Sequence, residues 1–225
     1  HRLATGGGAL QLRVFLRINR GVWFLDTGLP DRAMFEFDEA RRLLRETEAP
    51  NLHILLHYNV GEALLGLFEY EEALSHFQLA EQLAQKRVAP HFVAAVDAGI
   101  GMASLLTGQL AEARRRIRTL PAQSTQGHFD SSLLALFKAR MLVASREFDR
   151  AEQSLASAAE LLRGRWVTGW LKLSEEYGTV VGRRDPKRAI PLLDSLVQFA
   201  EERGLEARQQ QIAKTRERIL AGNPG

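Results

Sequence analysis

The sequence predicts an all-α protein built as a stack of helical hairpins, and two observations support this fold class. The stretch from His57 to Ala84 reads as two amphipathic helices separated by a break near Phe68. In its second helix, Ala73, Phe77 and Ala80 follow the i, i+4, i+7 spacing of one helix face. The same arrangement then recurs along the chain at a nearly constant spacing, which indicates a helical repeat.

The repeat is located by the alanine near the start of each second helix. These alanines are spaced by 40, 40, 38 and 38 residues and are Ala33, Ala73, Ala113, Ala151 and Ala189. We therefore expect five hairpins, at about residues 12–48, 51–87, 90–120, 129–163 and 165–203. A flexible segment at 1–11 precedes them, and a helix at 205–221 is expected to cap the last hydrophobic face.

Helix-breaking residues stand where the first three hairpins need their boundaries. Pro30 suits the first turn of a second helix, where its missing N–H costs no hydrogen bond. Pro50 ends the first hairpin, because the residue before a proline is pushed out of the helical region. The second hairpin is the stretch already described. The third starts after Pro90 and ends at Pro121.

The later boundaries are set by polar and capping residues. The segment 121–127 is polar and rich in turn residues, so it is predicted to be a loop. The fourth hairpin keeps the alanine pattern but has no glycine at its turn. In the fifth, Asp185 is a good N-cap ahead of Pro186, and Gly204 suits a helix C-cap.

The pattern of Gly61, Ala73, Phe77 and Ala80 resembles the tetratricopeptide repeat (TPR), which places small and aromatic residues at these offsets. The period is longer than the roughly 34 residues of the standard repeat. In this it is similar to the repeats of bacterial peptide-pheromone receptors and maltose-type transcription activators. The resemblance implies a right-handed superhelical stack whose first helices line a concave groove for a peptide or a partner helix.

The resemblance also implies which residues face that groove, all of them on first helices. They are Phe15, Asn19, Val22, Asp26, Tyr58, Asn59, Glu62, Met102, Phe137, Arg140 and Glu175. Asn19 and Asn59 fall at the same place in successive hairpins. An amide that both donates and accepts hydrogen bonds suits the backbone of an extended peptide. Alternatively, both asparagines cap local backbone or face water.

Composition excludes several other classes of protein. The 225 residues are 45% hydrophobic, which is enough for a sizeable core. The net charge of +3 is too small to indicate nucleic-acid binding. The absence of cysteine excludes disulfides and thiolate metal sites. No apolar run approaches the roughly 20 residues of a membrane span, and no signal peptide is evident. We expect a cytoplasmic location and no membrane partner.

Residues with potential chemistry form no recognisable site. His53 and His57 are i, i+4 on one helix, but no third metal ligand stands beside them, so a packing role is expected. The glycines at 6–8 are not followed by the Lys-Ser/Thr of a phosphate-binding loop. The arginine run at 114–118 is expected on a solvated face, with nucleic-acid contact as the alternative. We predict no catalytic site, no cofactor and no metal.

These observations favour a non-enzymatic module that binds a peptide or protein segment in its groove. Its expected context is the sensing or regulatory part of a larger bacterial transcription regulator. A DNA-binding domain upstream of His1 would fit, since the sequence starts without an initiator methionine. The alternatives are an assembly scaffold for a multiprotein complex and a nucleic-acid-binding repeat array. Self-association of the helical stack is a further possibility.

Overall fold

The computed structural model describes residues 7–87, 90–120 and 128–223, and these residues form eleven α-helices with no strand among them. The all-α prediction is therefore confirmed. The predicted loop at 121–127 and residues 1–6 lie outside the described residues. The first helix begins at Gly7, ahead of the predicted position 12. The chain divides into two compact units, His1–Pro121 and Ala122–Gly225.

The first unit contains three hairpins. Their helices are α1 (Gly7–Asp26), α2 (Pro30–Leu44), α3 (Pro50–Gly66), α4 (Tyr70–Arg87), α5 (Pro90–Leu106) and α6 (Leu110–Thr119). Each first helix packs against the second helix of its own hairpin. Helices α3 and α5 also pack against both helices of the hairpin before them. Among the described helices, α1 packs against α2 and α3 alone.

The second unit contains two hairpins and the C-terminal helix. Its helices are α7 (His128–Ala144), α8 (Phe148–Leu162), α9 (Val167–Gly182), α10 (Pro186–Glu202) and α11 (Glu206–Leu220). Helix α11 packs against α10 and α9, and its Ile212 and Ile219 complete a core with Leu193 and Leu196. Burying an otherwise open apolar face is what a terminal cap must do in a helical stack.

Aromatic rings of the second helices fill the spaces left by glycines on the first helices. A Cβ atom added at Gly61 would lie 2.8 Å from the ring of Phe77, and one at Gly99 would lie 2.5 Å from the same ring. The ring of Phe77 therefore sits between α3 of its own hairpin and α5 of the next. Gly21 makes the same close approach to Phe37 in the first hairpin.

The turns of the first four hairpins use the left-handed backbone region at equivalent positions. Gly28 and Gly108 have φ values of 85° and 79°, which glycine adopts without strain. The equivalent residues in the second and fourth hairpins are Phe68 and Arg146, with φ values of 66° and 60°. A side chain at such a position costs about 1–2 kcal/mol. No helix among the described residues is long and apolar enough to cross a membrane.

Candidate partner-binding surface

The structure separates the eleven predicted groove residues by burial. Six are buried, namely Val22, Tyr58, Asn59, Met102, Phe137 and Glu175. Two are exposed, Phe15 and Asn19, and three are half-buried, Asp26, Glu62 and Arg140. A ligand cannot reach the first six without movement of their neighbours, so packing accounts for these side chains.

Asn59 lies in a different environment from Asn19, although the two residues stand at equivalent positions. Its side chain is 1% exposed, and its Nδ2 donates a hydrogen bond of 2.8 Å to the carbonyl oxygen of Leu55 in the same helix. Its Oδ1 has no hydrogen-bond partner among the described residues. The amide of Asn59 is therefore enclosed between helices, whereas the equivalent Asn19 is exposed to solvent.

Two predicted contact residues of the second unit already have partners within that unit. Glu175 accepts a hydrogen bond of 2.7 Å from the hydroxyl of Thr215 on α11, and burial raises the pKa of this carboxyl. The guanidinium of Arg140 donates two hydrogen bonds of 2.9 Å to the carboxylate of Glu176. Both side chains therefore tie neighbouring helices together.

An exposed stripe that is apolar except for Asn19 runs along α1. Leu12, Leu16, Asn19 and Trp23 follow an i, i+4, i+7, i+11 spacing and form what we call the α1 seam. Leu12 and Leu16 are each 57% exposed and Trp23 is 59% exposed. Phe15, beside the seam, is 43% exposed. Thus the two exposed residues among the eleven, Phe15 and Asn19, belong to one surface on α1.

The repeat shows what the α1 seam is built to contact. At the last three seam positions the later first helices have buried residues, namely Leu56, Asn59 and Ala63 in α3, and Val96, Gly99 and Ala103 in α5. Leu52, at the first seam position of α3, is half-buried. In those helices this face lies against the preceding hairpin. Gly99, for example, stands at the position of Asn19 and touches the ring of Phe77. The α1 seam is the same face without a described element packed on it.

One flank of the α1 seam is basic. By helical phase Arg13 and Arg20 lie on the same side of the seam, and we call them the Arg edge. Arg20 lies 3.4 Å from the buried carboxylate of Glu36, which also pairs with Arg17 at 2.7 Å. Arg13 is exposed and forms no ion pair within the part of the chain that the structure describes. The only acidic residue of α1 is Asp26, its last residue.

Inside the first unit, the two helices of each hairpin are joined by a polar pair at one register position, 19 residues apart. The pairs are Arg17–Glu36, His57–His76 and Asp97–Arg116. Sequence reasoning missed this feature, although polar residues 19 apart at a 40-residue period indicate it. The sequence predicts a packing role for His57, and its ring contacts His76 across the hairpin.

Both the contact between the two rings and their surroundings favour the neutral form of the histidine pair. The Nδ1 atoms of His57 and His76 lie 3.1 Å apart, which fits one hydrogen bond between two neutral rings. Burial, His76, Arg41 and His53 together lower the pKa of His57 to about 4. Burial and Arg41 also lower the pKa of His76. Among the described residues no group of three or more potential ligands could hold a metal ion.

The arginine run at 114–118 is split by the helical phase of α6. Arg114, Arg115 and Arg118 are exposed, but Arg116 is 7% exposed. Its guanidinium donates hydrogen bonds to Glu81 at 2.6 Å, to Glu112 at 2.7 Å and to Asp97. Arg116 therefore belongs to a buried ion-pair network, whereas the other three arginines lie on the solvated surface.

A shallow cleft of about 390 Å³ lies at the α7–α8 turn and is lined mostly by charged side chains, Arg146, Glu147, Phe148, Asp149, Arg150 and Arg184. Arg150 pairs with Glu147, and Arg184 pairs with Asp149. Because four of its five charged side chains are already paired, the cleft is a weaker candidate for a binding site than the α1 seam.

No protein-family model and no curated protein sequence matches the chain. Among solved structures, the chain is similar to the apo form of the quorum sensor NprR from B. thuringiensis, with 12% identity and a TM-score of 0.45. The similarity covers 90% of this chain and 69% of that one. We draw no functional conclusion from a similarity at this level.

Proposed function

We propose that the chain is a non-enzymatic protein-binding module and that the α1 seam is the surface on which it binds a segment of a partner protein. The observation behind this proposal is the stripe of large apolar side chains that α1 leaves exposed. Scattered exposed apolar residues are normal on a protein surface, but a contiguous patch is typical of an interaction site.

The size of the patch fits a reversible interaction. Leu12, Phe15, Leu16 and Trp23 together expose apolar surface on the order of 400 Å². At about 25 cal/mol per Å², covering it contributes about 10 kcal/mol. Association itself costs about 4–15 kcal/mol in lost freedom of motion. Covering the patch therefore leaves at most about 6 kcal/mol, which corresponds to a Kd of tens of micromolar. Polar contacts at the edges of the patch would strengthen this binding.

We further propose that this module is the sensing or regulatory part of a larger bacterial regulator and that a peptide or protein segment is its ligand. In this proposal Phe15 and Asn19 contact the ligand directly. Asp26, Glu62 and Arg140 keep part of their surface exposed and are secondary candidates. The six buried residues maintain the spacing of the helices.

The proposal is tested by selecting ligands for the purified chain from a displayed library of 18-residue helical peptides. Selected peptides are then measured against Leu16→Ser, Trp23→Ser and the control Leu161→Ser. Leu161 is 68% exposed on α8 and lies outside the seam. We expect the two seam variants to weaken binding tenfold or more and the control to leave it unchanged. Failure to enrich any peptide, or equal binding to all four proteins, would overturn the proposal.

A further inference from the structure

We infer that the partner segment seated on the α1 seam is an amphipathic helix with acidic residues along the side that faces Arg13 and Arg20. This inference rests on the proposed function and adds the chemistry of the partner. It follows from three features of the surface: the spacing of the seam, the polar residue in its middle and the charge of its flank.

The spacing of the seam fits a helix rather than an extended strand. Its side chains recur at the spacing at which one helix packs against another. The equivalent faces of α3 and α5 are covered by helices. From Leu12 to Trp23 the seam spans twelve residues of helix, and its ends are about 17 Å apart at a rise of 1.5 Å per residue. A partner helix of about four turns covers this length.

Asn19 sets the register of the partner along the seam. It stands between Leu16 and Trp23, and its side chain forms no hydrogen bond within the described residues. Covering it with an apolar side chain would bury an unpaired amide, which is unfavourable. A partner with Asn, Gln or Ser opposite Asn19 satisfies the amide and fixes one alignment of the two helices.

The Arg edge selects the charge of the partner. The side chain of Arg20 is 60% exposed, and Arg13 is exposed without an ion pair among the described residues. Neither flank of the seam offers an acidic residue before Asp26. Acidic residues on the partner therefore gain attraction and basic ones meet repulsion, which affects both affinity and the rate of association.

The same charges disfavour a second copy of this chain as the occupant. Two copies packed antiparallel on their α1 seams would bring both Arg edges to the same side of the interface. Two copies packed parallel would place each Arg edge against the flank that contains Gln11 and Phe15. The acidic residue of α1 on that flank, Asp26, lies about 9 Å beyond the level of Arg20 along the helix axis. Neither arrangement matches the arginines with acids.

The test uses three fluorescein-labelled 18-residue helical peptides that share one leucine face with a central Asn. They differ only in whether the flanking residues are acidic, neutral or basic. In fluorescence anisotropy at about 0.15 M salt, we expect the acidic peptide to bind at least tenfold more tightly than the basic one. The difference should shrink as salt rises. Equal affinities for all three would overturn the inference.

Charge reversal on the protein provides the matched experiment. Arg13→Glu should weaken binding of the acidic peptide several-fold and strengthen binding of the basic one. Arg13→Glu/Arg20→Glu should invert the preference between the two peptides. The control Arg114→Glu/Arg118→Glu changes exposed arginines of α6 and should alter neither. Because Arg20 contacts Glu36, the single Arg13→Glu variant keeps the test valid if the double variant is poorly folded. An unchanged preference in Arg13→Glu would overturn the inference.

The outcomes separate this inference from the proposed function. If peptides bind in a manner that requires Leu16 but show no preference for acidic flanks, the inference fails and the proposed function stands. If no peptide binding depends on Leu16, both fail. Analytical ultracentrifugation provides the remaining arm: a dimer that is lost in Leu16→Ser would show that a second copy occupies the seam and would overturn the inference.

Discussion

The guanidinium of Arg116 should be the most important single charge for the stability of the first unit. It is enclosed among the carboxylates of Glu81, Asp97 and Glu112, which come from three different helices. Burial alone would lower the pKa of Arg116, but the hydrogen bonds to these carboxylates outweigh burial and raise it. Replacing Arg116 by Met keeps much of the packing of its stem and removes the positive charge.

The expected destabilisation follows from what Arg116→Met leaves behind. Removing one partner of a buried ion pair costs about 3–5 kcal/mol, because the remaining charge is uncompensated. The side chains of Glu81, Asp97 and Glu112 are 26%, 16% and 28% exposed, so they can recover part of their hydration. We therefore expect a loss of about 3 kcal/mol at pH 7, at the lower end of that range.

Arg115→Met is the matched control. Arg115 is adjacent in sequence and hydrogen bonds to the same Glu112, but its side chain is 63% exposed. Exposed ion pairs contribute about 0–1 kcal/mol, so this variant should lose less than about 1 kcal/mol. Urea unfolding followed by far-UV circular dichroism gives both values.

The pH dependence of Arg116→Met tests the electrostatic cause. Hydrogen bonds from Arg115, and to a smaller extent from Arg116, lower the pKa of Glu112 from 4.5 to about 2 in the folded protein. A carboxyl with a lowered pKa stabilises the fold above pH 4.5, and this stabilisation disappears as the pH falls towards 2. The difference between wild type and variant should therefore shrink below pH 4.5. A loss under 1 kcal/mol at pH 7, or one independent of pH, would refute this reasoning.

Three further predictions concern buried and strained positions. Because the pKa values of His57 and His76 are lowered below 6.5, the protein should lose about 1 kcal/mol of stability between pH 7 and pH 5, after a discount for partial exposure. In urea unfolding, His57→Gln should reduce this loss, and an unchanged loss would contradict it. Phe68→Gly should stabilise the fold by about 0.5 kcal/mol, because it relieves a left-handed backbone at a side chain that is 76% exposed. A lower melting temperature in this variant would argue against strain at the turn. Glu175→Gln should raise the midpoint of unfolding at pH 7. The raised pKa of the carboxyl means that its ionisation lowers the stability of the fold as the pH rises. In the variant, the amide oxygen can still accept the hydrogen bond from Thr215. A midpoint that falls would show that the ionised carboxylate is needed.

The elements that sequence predicts well are those determined by one helix and its own hairpin. The spacing of Ala73, Phe77 and Ala80 indicates a buried helix face, and all three residues are fully buried. The capping role predicted for Asp185 is also present, since its side chain accepts a hydrogen bond of 3.2 Å from the backbone N–H of Arg188. Such features depend on residues a few positions apart.

Contacts between hairpins could not be predicted in the same way. Asn19 and Asn59 have the same place in their helices, and only the hairpin packed beside α3 makes one of them buried. Arg116 differs from the neighbouring arginines because α4 and α5 place carboxylates opposite the face of α6 on which Arg116 lies. His57 lies next to His76 on the facing helix. In each case the environment comes from residues at least 19 positions away.

The most direct test of the α1 seam as a binding surface is the fluorescence of Trp23 as the sole tryptophan, in a chain that carries Trp166→Phe and Trp170→Phe. Trp23 is 59% exposed, so its emission should be that of a solvated indole. On titration with the acidic amphipathic peptide, we predict a saturable blue shift that is lost in Leu16→Ser. If anisotropy shows that the peptide binds while the emission of Trp23 does not change, the ligand occupies another surface and the account is contradicted.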